Sequence, residues 1–287
     1  MNATTDAPML LRLTAFTTSP DGGNPAGVWI GDALPKADQM QRIAAEVGYS
    51  ETAFVTPAHG SHRTVRYYSP EAEVSFCGHA TVAAGVALGQ RDGAGTYVFE
   101  TAAGTVPVDV RPYGDGYTGT LTSVEPRHEP VSEDALSGYL ASLGWDASDL
   151  DGAIPPARAF AGAWHLVLAV DRKDLLDNLT YDFDSVKQKM LSDGLTTLQL
   201  IWRESDDVFH SRNPFPVGGV VEDPATGAAA AALGGYLRDA RLVTSPTRLT
   251  IHQGTQMGRP SLLQVDIPSH GGIRVTGHAV PVTEEQS

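Results

Sequence analysis

Short apolar runs separated by clusters of Gly, Pro, Asn and Ser dominate the chain, and where apolar and polar positions alternate the pattern predicts strands. Two such runs lie at residues 10–16 and 26–30, joined by a polar turn at 19–24. Residues 35–47 differ. Met40, Ile43, Ala44 and Val47 recur at i, i+3, i+4 and i+7, the spacing of a helix with one buried face, and Gly48 supplies its stop. Further strands are expected at 52–55, 64–68, 96–100, 104–110 and 117–121, then at 158–160, 164–170, 197–202, 249–252 and 262–267. Amphipathic helices are expected at 133–143 and 183–191, and residues 126–130 read as the loop that crosses between two halves.

Two segments break this style. GHATVAAGVAL at 78–88 carries no charge unless His79 is protonated, and ATGAAAAALGGYL at 225–237 carries none at all. A helix apolar on every side must be buried on every side, and small residues let other elements approach its axis closely. These segments are expected to be the central helices of two domains. Ala80-Thr81 aligns with Ala225-Thr226, and Ala83-Ala84 with Ala228-Ala229, at an offset of 225 − 80 = 145. That is about half the chain, so duplication is one explanation and shared Ala-rich composition is the other.

Composition narrows the function classes. With 41% hydrophobic residues in 287, the chain can build cores, and 20 Lys+Arg against 34 Asp+Glu leave a formal charge of −14. Such a protein repels a phosphate backbone or an anionic membrane surface, so no nucleic-acid or membrane partner is expected. One cysteine can form no internal disulfide and no multi-thiolate zinc site. The N-terminal MNATTDAPML lacks a basic region followed by an apolar run, and no segment approaches the ~20 apolar residues of a membrane span. A cytoplasmic protein is expected. The nine histidines show no H-E-x-x-H or other tight ligand spacing, so no metal is expected. No P-loop, strand-linked G-x-G-x-x-G or G-x-S-x-G elbow is present.

What remains is chemistry at the starts of the two apolar helices. Unpaired N–H groups and the helix dipole at such a start attract a carboxylate or phosphate. Cys77-Gly78-His79 precedes the first and Glu222-Asp223-Pro224 the second. Asp223 is alternatively an N-cap with Pro224 at the first helical position, and His79 alternatively a core histidine bonded to a carbonyl. Glu51, in GYSETAFV, shares a strand face with Ala53 and Val55. Carboxylates on apolar faces need a partner or hold their proton more tightly, which is what general acid–base chemistry uses; a glutamate at a strand start is otherwise solvated.

Taken together, GGNPAGV at 22–28, GYSETAFV at 48–55, FCGHAT at 76–81, EDPATGAAA at 222–230 and QGTQMGRPS at 253–261 resemble the phenazine-biosynthesis PhzF-like family, in the family's motif order. The resemblance implies an α/β (α+β) diaminopimelate epimerase-like fold: two pseudo-symmetric domains, each a mixed sheet or barrel wrapped around a central helix, with the active site in the cleft between them. The domains are then 1–124, completed by a C-terminal strand near 277–283, and 125–276. It implies a cofactor-independent isomerase that moves a proton on a small carboxylate-bearing cyclic metabolite, as the phenazine enzyme does with dihydro-hydroxyanthranilate, and a homodimer. Glu51 matches the family's acid–base residue, and His79 and Asp223 match residues that hold substrate and assist proton movement. Asn24, Gly78, Gly227 and Ala228 fall in the substrate-binding motifs, and Gln253 or Arg259 either lines the cleft or forms a turn. Ala228 stands where serine is frequent and Thr14 where many relatives carry an acid. The single thiol excludes a two-cysteine racemase. A non-catalytic small-molecule-binding or interaction protein that kept the fold is the alternative.

Overall fold

The computed structural model describes residues 7–282. The chain divides into two compact units, one running to Thr122 and resuming at Thr276, the other spanning Ser123–Val275.

The first unit contains β1 (Met9–Ala15), β2 (Asn24–Ile30), α1 (Ala37–Val47), β3 (Glu51–Pro57), β4 (His62–Tyr68), β5 (Glu73–Val74), α2 (Gly78–Asp92), β6 (Gly95–Thr101), β7 (Gly104–Tyr113) and β8 (Gly116–Thr122). The second contains β9 (Arg127–Pro130), α3 (Glu133–Leu143), β10 (Ala157–Phe160), β11 (Trp164–Val170), α4 (Lys173–Asp177), α5 (Phe183–Asp193) and β12 (Thr197–Arg203). It continues with β13 (Val208–Pro214), β14 (Glu222–Asp223), α6 (Gly227–Asp239), β15 (Thr247–Gln253) and β16 (Ser261–Ile267), before β17 (Arg274–Pro281) returns to the first unit.

In the first unit β1 pairs antiparallel with β2, β2 runs parallel to β3, β3 antiparallel to β4, and β4 parallel to β6. The antiparallel β6, β7 and β8 follow, and β17 joins β8 to β1, closing an eight-stranded barrel. A closed barrel leaves no free edge, and its inward positions must be filled. Here α2 fills them: every residue from 79 to 89 is buried, and the helix packs on β1, β2, β3, β7 and β8. Its small residues are a fitting requirement, because a Cβ on Gly85 or Gly89 would stand 2.8 Å from Val108 Cγ1 or 2.6 Å from Val110 Cγ1. On the other face of β3, Phe54 packs with Trp29 and Tyr68 beneath Met40 and Ala44 of α1. Alternation therefore turns Glu51, Ala53 and Val55 the opposite way, toward α2. Gly48 ends α1 with φ 74°, as the stop signal predicts.

The second unit repeats the order. β10 and β11 form a hairpin, β11 is parallel to β12, β12 antiparallel to β13, β13 parallel to β15, and β15 antiparallel to β16. The buried α6 packs on β9, β10, β11 and β16, while α3, α4 and α5 bury Tyr139, Leu143, Leu176, Val186 and Met190 against Leu166, Leu168, Leu198 and Leu200. The repeat is genuine in topology, but its register differs from the expected offset. Equivalent helix starts give 227 − 78 = 149, and the two-residue strands before them give 222 − 73 = 149. The Ala-Thr match at 145 is thus a coincidence of composition.

Residues 126–130, expected as a loop, are largely strand: β9 pairs antiparallel with β10, and its Glu129 meets Arg158 at 2.6 Å. The polar, exposed sequence Arg-His-Glu-Pro hides its pairing. β13 also lacks an apolar signature, because two of its buried positions are Ser211 and Asn213.

Candidate active site

In the first unit, β2 opens with Asn24, β3 with Glu51, and α2 with Gly78 and His79, so three element starts meet at one end of the barrel. His79, 6% exposed, is the centre of the cluster. Its Nε2 lies 3.4 Å from Glu51 Oε2 and 3.3 Å from the Ser50 hydroxyl, and its Nδ1 lies 3.2 Å from the Asn24 amide nitrogen. With the Asn24 amide donating, Nδ1 accepts and Nε2 carries the hydrogen, directed to the side where Glu51 and Ser50 sit. Cys77 Sγ is 3.3 Å from the same Nδ1. The Glu51 side chain is 17% exposed, enough to meet a ligand and too little to be solvated all round.

The sequence holds this arrangement locally. Thr14, buried in β1, donates to Gly22 O at 2.6 Å and ties down the turn that delivers Asn24. Thr81 donates to Cys77 O at 2.6 Å, so the Tyr67 hydroxyl 2.7 Å away donates to Thr81. Burial raises the Tyr67 phenol well above its ordinary value, so it remains a neutral donor. The N-cap of α2 is Cys77, no side chain caps it, and no acid occupies its first turn. The N–H groups there form an anion-attracting end.

In the second unit Asp223 lies in β14 and helix α6 begins at Gly227, with Thr226 as N-cap. Asp223 is therefore not the N-cap, and Pro224 is not the first helical residue: the pairing of Asn213 with Asp223 draws that residue into a strand. Asp223 Oδ2 accepts a hydrogen bond from the Thr226 hydroxyl. Gln253, 2% exposed, clamps this segment: Nε2 donates to Asp223 O at 2.7 Å and to Thr226 Oγ1, while Oε1 accepts from Thr226 N at 3.1 Å. Gly254 (φ 76°) follows, where a Cβ would stand 2.3 Å from Arg259 O and 2.6 Å from Pro224 O. The QGTQMGRPS loop thus folds as a turn around the start of α6. As with α2, no side chain caps α6 and its first turn is free of acid; Gly227 is buried and Ala228 half-buried there. Behind it, Arg212 forks onto the buried Glu222.

Sequence reasoning missed Ser50 and Thr226, whose hydroxyls carry no pattern, and the buried network at the start of β12. There His165 bonds Thr197 at 2.8 Å, and Asn213 donates to Thr197 and Gln199. Burial pulls His165 down to about 3, so its imidazole is neutral; Nε2 is buried with no partner.

A closed barrel around a small-residue helix, with its strand order repeated in the second unit, is the diaminopimelate epimerase-like fold. The crystal structure of a PhzF-family phenazine biosynthesis protein from Bacillus anthracis superimposes with a TM-score of 0.82 at 25% identity, covering 97% of this chain and 98% of that one. The sequence matches the phenazine biosynthesis-like protein family over residues 13–285, and the chain belongs to this PhzF-like family of isomerases. It is 30% identical to the isomerase YfhB of Bacillus subtilis over 94% of this chain and 95% of that protein. It is also 31% identical to the trans-2,3-dihydro-3-hydroxyanthranilate isomerase of Pseudomonas fluorescens, covering 88% and 87%.

Proposed function

We propose that the protein is a cofactor-independent isomerase that moves a proton on a small cyclic metabolite bearing a carboxylate, with Glu51 as the general acid–base. The observation that carries this is the Glu51–His79 contact of 3.4 Å at the uncapped start of α2. Glu51 takes a proton from a substrate carbon and returns it to another, so composition is unchanged and only the double bonds move. His79, oriented by Asn24, directs Nε2–H toward the carboxylate and steadies it between the two transfers. Gly78 opens the first turn of α2, whose backbone N–H groups receive the substrate's anionic end. In the second unit, Asp223, Gly227 and Ala228 take the substrate-holding roles that the family motif assigns; Ala228 offers no hydroxyl, which points to a substrate different from that of the phenazine enzyme. Asn24 acts by positioning His79 rather than by exposure to the substrate, since it is only 2% exposed.

We take the two compact units as the two domains of this enzyme and propose that it works as a cytoplasmic homodimer. Among the described residues no helix is long and apolar enough to cross a membrane. The test is incubation in D₂O with cyclic and amino-acid-like carboxylates, dihydro-hydroxyanthranilate included, read by NMR and mass spectrometry. A product with a displaced hydrogen or incorporated deuterium is expected. Saturable binding that never yields product would overturn the catalytic reading in favour of a ligand-binding protein.

A further inference from the structure

Behind the start of α2, buried hydroxyls line up in a relay that the proton transfer itself does not use. The Tyr67 hydroxyl on β4 donates to Thr81 Oγ1 at 2.7 Å, and Thr81 Oγ1 donates to Cys77 O at 2.6 Å. The same carbonyl accepts from Thr81 N at 3.0 Å, the first intrahelical bond of α2. Tyr67 and Thr81 are fully buried. Burial holds the Tyr67 phenol well above its ordinary value, so it remains a donor throughout the neutral range. Burying these hydroxyls costs free energy that Phe and Val, of nearly the same shape, would not incur. The second unit shows that a helix start of this topology needs neither hydroxyl. At the spacing of the two helices, 81 + 149 = 230, and Ala230 N makes the same bond to Thr226 O at 3.0 Å with no hydroxyl to add. Strands β4 and β13 are spaced by 208 − 62 = 146, which puts Asn213 at the place of Tyr67, and its amide turns to Thr197 and Gln199 instead.

Cys77 O and Gly78 N–H belong to one planar trans peptide, so they point in opposite directions. Two donors hold the carbonyl along α2, and the N–H is thereby aimed out of the helix start, where it has no acceptor within the helix. A carbonyl that accepts strong hydrogen bonds also polarises its own peptide and makes that N–H a better donor. We propose that Tyr67 and Thr81 are positioning residues that aim and polarise the Gly78 N–H for the carboxylate of the substrate. The proposal rests on the reading that the first turn of α2 receives the substrate's anionic end, and it adds which interior residues set the strength of that grip. Neither residue touches the substrate; both act through the Cys77–Gly78 peptide.

NMR of the full-length protein tests this at the peptide itself. Cys77 is the one cysteine in the chain, so labelling with carbonyl-¹³C cysteine and ¹⁵N glycine leaves a single ¹³C–¹⁵N pair, that of Cys77 and Gly78. Its one cross-peak reads the carbonyl and the N–H together. In Tyr67→Phe and Thr81→Val the carbonyl carbon is expected to move upfield, as a carbonyl does when its hydrogen bonds weaken; in Thr81→Ser, which keeps the hydroxyl, it is expected to stay at the wild-type position. Titration with benzoate, a cyclic carboxylate, is expected to shift the Gly78 signal saturably in wild type and Thr81→Ser, with a Kd about 3- to 10-fold higher in Tyr67→Phe and Thr81→Val. On a substrate that wild type turns over, the same two variants raise KM by that factor and leave kcat within about twofold, the pattern of binding lost equally from ground and transition states. A purely structural role lowers the folded fraction, and with it kcat, but leaves the benzoate affinity of the folded protein unchanged. That result, an unmoved carbonyl signal in Tyr67→Phe, or a Gly78 signal in wild type that ignores benzoate overturns the proposal. Benzoate binding involves no proton transfer, so the two claims fail separately: weaker benzoate binding in Tyr67→Phe, alongside full turnover in Glu51→Gln, leaves the positioning role standing and removes the acid–base assignment.

Discussion

At the residue scale, the candidate site consists of side chains whose value depends on what holds them. His79 has its two ring nitrogens divided between Asn24 and the Ser50–Glu51 side. Replacing Asn24 by Ala frees the ring and its tautomer while leaving Glu51 in place, so kcat/KM is expected to fall about 10- to 100-fold with a changed pH profile. An unchanged profile measured on a turned-over substrate contradicts the positioning role. That Glu51 lies on the α2-facing side of β3 was legible because alternation placed it with Ala53 and Val55, and its expected role came from the family motif; Ser50 was not legible, because a serine before a strand has no distinguishing pattern. His165 belongs to this scale too. Its folded value of about 3 lies below its ordinary 6.5, so below pH 6.5 the unfolded chain binds a proton that the folded chain refuses. Its contribution is fully present above pH 6.5 and is lost as the pH falls toward 3, by up to about 1.4 kcal/mol per pH unit. His165→Gln is expected to flatten the dependence of unfolding free energy on pH between 6 and 4, as measured by denaturant melts; the same slope in both proteins contradicts it.

At the element scale, what the sequence announced was the two apolar helices, and what it concealed was how they begin. Continuous small residues without charge mark α2 and α6 as fully enclosed. Their first turns look like ordinary cap sequences, yet Asp223 is drawn into β14 and Thr226 becomes the N-cap, a tertiary choice made by the pairing with Asn213 and by the Gln253 clamp. β9 was hidden by its charge and β13 by buried Ser211 and Asn213, because pairing with distant strands leaves no local signal. Gly254→Ala tests the clamp. The added Cβ meets two backbone oxygens at a positive φ, so stability is expected to drop by at least about 2 kcal/mol in urea unfolding. A loss below about 0.5 kcal/mol would show that the loop yields without cost.

At the scale of the whole molecule, the order of strands in the first unit recurs in the second with the same parallel and antiparallel choices, which neither composition nor the 145-residue offset revealed in detail. The architecture and the family were nevertheless legible in five short motifs spread over the chain, because those motifs sit at element starts where geometry restricts residue choice. The homodimer expected from the family predicts a sedimenting species of twice the chain mass; a monomer at micromolar concentration contradicts it. The formal charge of −14 has the sign that a phosphate backbone repels.

The proposed function stands or falls with proton transfer by Glu51. The direct measurement compares wild type and Glu51→Gln on the same substrate in D₂O, following isomerised product and deuterium incorporation while ligand binding is monitored in parallel. A loss of at least about 100-fold in turnover is expected, with binding retained. Equal turnover in the two proteins would contradict it.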